Sequence, residues 1–233
     1  MKILLTMGGT REEIDGVRFI TNLSTGRTGR AIAERLSAAG HKVLCLRARG
    51  AESPRGRNIR TEEFSRFRDL DAKMRSALGG SAFDAVIHLA AVSDYSVRSI
   101  KTGGKTYRPG PRGKIPSGAK EMTISLKRNF KILDRIKCYA RKSGKARRPP
   151  LLIGFKLTSG AGRARTLEAV KALRAADLVV QNDTEEMKNG HPFHIYRDGE
   201  KIAARRGAGE LADALCSLLR AERDKEDAHA AGA

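Results

Sequence analysis

The sequence predicts an α/β fold: a Rossmann-like, mostly parallel sheet flanked by helices, with a long flap and a carboxyl-terminal hairpin. Three observations predict it. Short apolar runs that end in glycine or polar residues alternate with amphipathic stretches through most of the 233 residues. The first run leads through a loop into a glycine-punctuated helix and then a second run, the opening of a βαβ unit. Near the carboxyl terminus, Asp198-Gly199 separates two short strand-like runs, which signals a hairpin.

The elements follow in order. Residues 3–7, ILLTM, are apolar and stop at Gly8-Gly9, a first buried strand. The polar stretch TREEIDGVRFITNLSTG is long for a strand-to-helix connection. GRAIAERLSAAGH sets Ile32 and Leu36 four apart with alanines on the same side, and Gly40 is placed to stop the helix. KVLCLRA is the second strand. A helix over 66–78 leads into DAVIHLAAVSD, a buried strand with a polar tip. Residues 95–120 are rich in glycine, proline and basic residues and show no apolar period, the composition of a flexible flap. MTISLK reads as a strand, NFKILDRIKCYA as an amphipathic helix, RRPPLLIGFK as a strand, TLEAVKALRAA as a helix and DLVVQND as a strand. The hairpin FHIYRDGEKIAAR and the helix GELADALCSLLRAE close the pattern. One domain is expected over residues 1–222, followed by a disordered tail over 223–233.

A hydrophobic fraction of 40% is enough for a buried core. No apolar run reaches the roughly 20 residues that span a bilayer, and ILLTM runs into a glycine turn rather than a cleavage site. A cytoplasmic protein without a membrane partner is expected. Cys45, Cys138 and Cys216 have no paired spacing, and His191 and His194 lack a third ligand at metal-site spacing, so no disulfide framework or protein metal site is expected. The net charge of +20 raises nucleic acid as a partner. The one compact basic cluster, YARKSGKARRPP, contains a single aromatic residue, Tyr139, so it offers no stacking platform and no nucleic-acid partner is expected.

In open parallel sheets ligands sit beyond the carboxyl ends of the strands. Four polar clusters fall at such ends: the Gly8-to-Gly29 loop, AVSD at 91–94, GFK at 154–156 and QND at 181–183. Gly26 and Gly29 open a helix whose amides and dipole suit a phosphate. Two other readings stand beside a phosphate-handling enzyme. One is an NADP-linked reductase, with Arg47 and Arg49 toward a 2′-phosphate, against which no Tyr-x-x-x-Lys pair is present. The other is a basic nucleic-acid-associated module.

The stretch GGTREEIDGVRFITNLSTGRTG resembles the opening signature of the phosphopantothenoylcysteine synthetases. AAVSDY at 90–95, GKIPSG at 113–118 with MTISLK, and IGFKL at 153–157 with DLVVQND at 177–183 resemble that family's further motifs, in the family's order. The likeness covers residue 3 to about 183, and GFKL is closer to stand-alone members without the flavin decarboxylase domain than to fused ones. The resemblance implies a phosphopantothenate–cysteine ligase of coenzyme A biosynthesis, a homodimer. It implies 4′-phosphopantothenate, L-cysteine and a nucleotide triphosphate as substrates, CTP before ATP, with Mg2+ and without flavin.

The resemblance also assigns residues. Asn22 and Lys114 are the catalytic candidates: an amide that meets the substrate carboxylate and acyl intermediate, and a flap ammonium that neutralises the triphosphate. Lys101 and Lys105 compete with Lys114. Gly8, Ser24, Gly26, Gly29, Phe155, Arg174 and Asn182 are expected on the nucleotide. Arg18, with Arg11 and Arg27 as neighbours, is expected on the other substrate together with Asn22, Ala90, Ala91 and Asp94. Arg174 keeps one place of a basic pair whose other place holds Val170.

Overall fold

The computed structural model of the chain describes residues 1–142, 144–145 and 148–231. Ser143, Ala146 and Arg147 of the basic cluster, and the last two residues of the expected tail, lie outside the described residues. The strands are β1 (Lys2–Met7), β2 (Arg11–Glu13), β3 (Phe19–Thr21), β4 (Lys42–Ala48), β5 (Ile59–Phe64), β6 (Ala85–His88), β7 (Tyr95–Thr102), β8 (Lys105–Tyr107), β9 (Met122–Arg128), β10 (Leu151–Thr158), β11 (Leu178–Asp183), β12 (Pro192–Arg197) and β13 (Glu200–Arg206). The α-helices are α1 (Arg27–Ala38), α2 (Phe67–Gly80), α3 (Ile136–Lys142), α4 (Arg163–Lys171) and α5 (Gly207–Ala231).

Eight strands form the main sheet in the order β13-β12-β11-β10-β6-β1-β4-β5. The six from β11 to β5 are parallel, and β12 and β13 add an antiparallel hairpin at one edge. Counted along the chain, the six parallel strands lie 3-2-1-4-5-6 across the sheet, the doubly wound order. The apolar runs explain the centre. In β1 and β6 both faces are covered, so Ile3, Leu4, Leu5, Val86 and Ile87 are all fully buried. Odd-numbered residues of β1 pack with α1 and α5, even-numbered ones with α2 and α3.

The fold departs from the sequence reading in four places. β5, IRTEEF, was not expected as a strand. It pairs on one side only and is largely exposed, so it lacks the apolar run that marks its neighbours. The long connection after β1 contains the β2–β3 hairpin. The first part of the flap segment is regular structure: β7 and β8 join β9 in a separate antiparallel sheet over a small core of Ile14, Val97, Ile100 and Ile115. A bulge between Val97 and Ser99 puts the buried residues three apart rather than two, which hides the strand period. Finally, α5 continues to Ala231, through most of the segment expected as a disordered tail.

Candidate functional site

β1 and β6 are neighbours, but the chain leaves them in opposite directions, to β4 and to β10. Their carboxyl ends therefore mark the topological switch point, the place where such sheets bind ligands. The loops that follow them are stitched together. The Ala91 amide donates to the Gly8 carbonyl at 2.8 Å and the Thr10 amide to the Ala91 carbonyl at 3.2 Å. The Ala90 amide donates to the Thr6 hydroxyl at 3.2 Å. Ala90 and Ala91 thus have both amides committed within the protein, and what remains for a ligand is methyl and carbonyl surface.

Two glycines of the phosphate-loop candidate are required by packing. Gly8 has φ +84°, and a Cβ there would lie 2.6 Å from the Ala48 Cβ. A Cβ on Gly29 would lie 2.6 Å from the Met7 Cβ. The bare Gly8 lets the end of β1 lie against the end of β4, and the bare Gly29 lets the start of α1 close over the end of β1. Gly26 caps α1 without a side-chain hydrogen bond, and the first turn carries no acidic residue. Among the described residues the Thr28 and Gly29 amides have no acceptor, and the Ser24 hydroxyl has no partner. This is an electropositive helix start with free donors, suited to an anion.

Asn22 lies exposed between β3 and α1, its Nδ2 donating to the Val92 carbonyl at 3.4 Å. It faces the 90–94 loop from the hairpin side. Asp94 precedes β7 rather than a helix, so it caps nothing. Its carboxylate is 2.5 Å from the Lys131 ammonium and half exposed. Arg18 is only partly available: Nε and Nη2 donate to Asp15 at 3.0 and 2.5 Å, and Nη2 also to the Ile115 carbonyl at 2.9 Å. The Lys114 side chain is exposed and has no hydrogen-bond or ion-pair partner among the described residues.

On the α1 and α5 side of the sheet, Phe155 packs on the core below, and Asn182 stands on the adjacent strand. The Asn182 amide is 3.4 Å from His191 Nε2, and the His191 ring stacks on Phe193 at 4.7 Å. Burial, and then the positive charge of Arg27, hold the His191 ring below its usual range. Arg27 is the first residue of α1, so the helix start and the ends of β10 and β11 share one electrostatic environment. His191 was read from sequence only as half of a weak metal pair; its φ of +51° and its stacking give it another setting. Asp183 beside Asn182 has four donors: Thr158 Oγ1 at 2.7 Å and the amides of Gly160, Ala161 and Glu185. The Thr158 hydroxyl, ahead of those amides, keeps its carboxyl well below the usual range. It fixes the loop into α4.

Arg174 is not brought to this site. α4 ends at Lys171, and Arg174 lies exposed in the connection that enters β11 from its amino end, at the far end of the sheet. Arg47 and Arg49, on which the reductase reading rests, both pair with Glu63, at 2.8 and 3.1 Å, and Arg47 also donates to the Ala51 carbonyl at 2.7 Å. Among the described residues no three His, Cys, Asp or Glu side chains converge as a metal cluster, and no helix is long and apolar enough to cross a membrane.

Residues 1–213 match the family described as the DNA/pantothenate metabolism flavoprotein C-terminal domain. The chain belongs to this family. It is 29% identical over 219 residues to the coenzyme A biosynthesis bifunctional protein CoaBC of Thermococcus kodakarensis, covering 92% of this chain and 49% of that protein. The chain spans about half the length of the curated relatives it matches. A crystal structure of the DNA/pantothenate metabolism flavoprotein from Streptococcus pneumoniae superposes with a TM-score of 0.82 at 28% identity, covering 95% of this chain and 99% of that one. At 18% identity, a Cab2 variant in complex with phosphopantothenate-cysteine shares the fold, with a TM-score of 0.74 over 98% of this chain and 88% of that one.

The sequence reading of this family member missed His88, which ends β6 between Thr6 of β1 and Gly154 of β10. Its Nδ1 is 2.9 Å from the Thr6 hydroxyl, the same hydroxyl that accepts the Ala90 amide. Burial pushes the ring down to about 4, so it is neutral at pH 7. An unfolded histidine titrates near 6.5. Its stabilising contribution is therefore complete above that value and lost as pH falls toward 4. At pH 4.5 the loss from this ring is on the order of 2 kcal/mol. The depressed carboxyls of Asp15 and Asp183 act at lower pH, below the usual carboxylate range. His41 and His191 are also depressed and share the window. His88→Gln isolates one ring: between pH 7 and 4.5 its urea unfolding free energy falls by on the order of 2 kcal/mol less than the parent's. Equal losses in both proteins rule the assignment out.

Proposed function

We propose that the chain is a phosphopantothenate–cysteine ligase, joining 4′-phosphopantothenate to L-cysteine with a nucleotide triphosphate. The observation that supports this reading is the Asn22 side chain facing the 90–94 loop beyond the ends of β1 and β6, in a chain of this family. The Cab2 complex, a relative by fold, holds phosphopantothenate-cysteine.

A carboxylate is a poor electrophile. Its oxygen first attacks the α-phosphorus, forming a mixed anhydride and expelling pyrophosphate. The cysteine nitrogen then attacks the acyl carbon, the nucleotide monophosphate leaves with the bonding pair, and the nitrogen loses a proton. Both first partners are anions, so fixed positive charge and preorganised donors lower the barrier most. In this reading the amides of Thr28 and Gly29 take phosphate oxygens, Lys114 neutralises the triphosphate, and the Asn22 amide holds the acyl oxygen. Magnesium requires few protein carboxylates when phosphates supply the rest, so it would ride on the nucleotide. Phe155, Asn182 and His191 would border the base and ribose.

CTP is expected before ATP, and the functional test reads both. Pyrophosphate release that requires a nucleotide, 4′-phosphopantothenate and magnesium, with amide product once cysteine is added, is the expected result. Release that ignores phosphopantothenate sinks the reading. The reading also takes the molecule as a homodimer of a cytoplasmic enzyme. Val17, Phe19, Ile20 and Leu23 expose apolar side chains on and beside the β2–β3 hairpin, and Tyr95 does so at the start of β7. Light scattering should give twice the 25.4 kDa chain mass, and a monomer during turnover refutes the pairing.

A further inference from the structure

We propose that Asp15 is a positioning residue, a latch that ties the flap backbone on both sides of Lys114 to the β2–β3 hairpin and so sets where that ammonium reaches. The inference rests on the reading of Lys114 given above, but its geometry stands apart from it.

Asp15 is 5% exposed, and its carboxylate is surrounded by donors. Oδ1 accepts the amides of Val17 at 3.0 Å and Arg18 at 2.9 Å, which closes the hairpin tip. Oδ2 accepts Arg18 Nε and Nη2, and from across the molecule the Ile115 amide at 3.1 Å. Two further bonds complete the attachment: the Gly16 amide donates to the Gly113 carbonyl at 2.8 Å, and Arg18 Nη2 to the Ile115 carbonyl at 2.9 Å. Three backbone groups flanking Lys114 are therefore held by the tip formed from residues 15–18. The Ile115 side chain is buried with Ile14, Val97 and Ile100, which pins the same point from below. Between Gly113 and Ile115 only the Lys114 side chain projects without a partner. Its competitors have no comparable anchor: Lys101 and Lys105 flank the Gly103-Gly104 turn at the exposed end of β7 and β8.

Five donor contacts on one buried carboxylate exceed what a tight turn needs. The turn itself uses two, and the other three reach Arg18 and a segment 100 residues away. Arg18, ahead of the backbone amides, holds the Asp15 carboxyl far below the usual range, so it is ionised through the neutral range and serves as an acceptor rather than as an acid or base. Arg18 then has a second task besides any substrate contact: it neutralises Asp15 and carries the Ile115 carbonyl.

A double-mutant cycle with hydrogen exchange tests the latch. Asp15→Asn should lower kcat about tenfold, because misplacement of a charged group near the reacting atoms costs on that order. In a Lys114→Ala background the same change should cost less than about twofold, since no ammonium remains to position. Amides of residues 113–116 should exchange at least about tenfold faster in Asp15→Asn, with those of β1 unchanged. Gly16→Ala is the second variant. A Cβ there would meet the Gly113 carbonyl oxygen at 2.6 Å, loosening the attachment without touching charge, and it should give the same pattern. Equal losses from Asp15→Asn in the parent and Lys114→Ala backgrounds overturn the proposal, as does unchanged exchange at 113–116. If the parent forms no amide product, the ligase reading fails, and the exchange experiment alone then decides the latch.

Discussion

Asn22→Asp lowers amide formation by at least about 100-fold in a chain that remains folded. The side chain is exposed, and its one hydrogen bond, to the Val92 carbonyl, is 3.4 Å long. A surface change with so little to lose costs within about 0.5 kcal/mol of stability. The chemical cost is much larger. The amide can donate to an acyl oxygen and accept from an amine without adding charge. A carboxylate of the same shape loses the donor, faces the Val92 carbonyl unfavourably, and sets a negative charge where two anions must meet. Thermal unfolding and product formation, measured together, separate the two effects. Product formation within threefold of the parent removes Asn22 from the reaction.

The parallel sheet was legible in the sequence because burial on both faces leaves continuous apolar runs, as in ILLTM and AVIH. Where strands lack that burial the pattern fails. β5 is an edge strand with polar residues, β2 and β3 have three residues each, and the bulge in β7 shifts Val97 and Ile100 out of alternation. A rule about strand ends locates the candidate site: Asn22, Ala90 and Asp94 stand on loops beyond strands, and Phe155 and Asn182 in the carboxyl-terminal halves of β10 and β11. Arg174 is assigned by the family resemblance to a basic pair on the helix before DLVV, and the helix stops three residues before it. The Asp15 bond to the flap and the His88 bond to β1 leave no local signal. Their partners are Ile115, 100 residues on, and Thr6, 82 residues back, and no window of sequence contains such contacts.

The second large effect is expected at Lys114. Lys114→Ala should lower turnover about 100-fold or more, because an ammonium that meets a triphosphate in a partly desolvated site stabilises developing charge strongly. The loss should be alike for CTP and ATP. The phosphates of the two are identical, while base choice depends on hydrogen bonds to the base edge. Unpaired groups there cost on the order of 1–3 kcal/mol each. In the proposed arrangement the base lies toward Phe155, Asn182 and His191 on the α1 and α5 side, whereas Lys114 projects from the flap held over the β2–β3 hairpin. One side chain on that flap should not read a base edge there. The fold should be indifferent to the change, since the side chain is exposed and unpartnered. The measurement is kcat/KM for each nucleotide in parent and variant. Equal losses leave the CTP-to-ATP ratio where it was. A tenfold shift in that ratio would mean that Lys114 touches the base, and turnover close to the parent's would hand the role to Lys101 or Lys105.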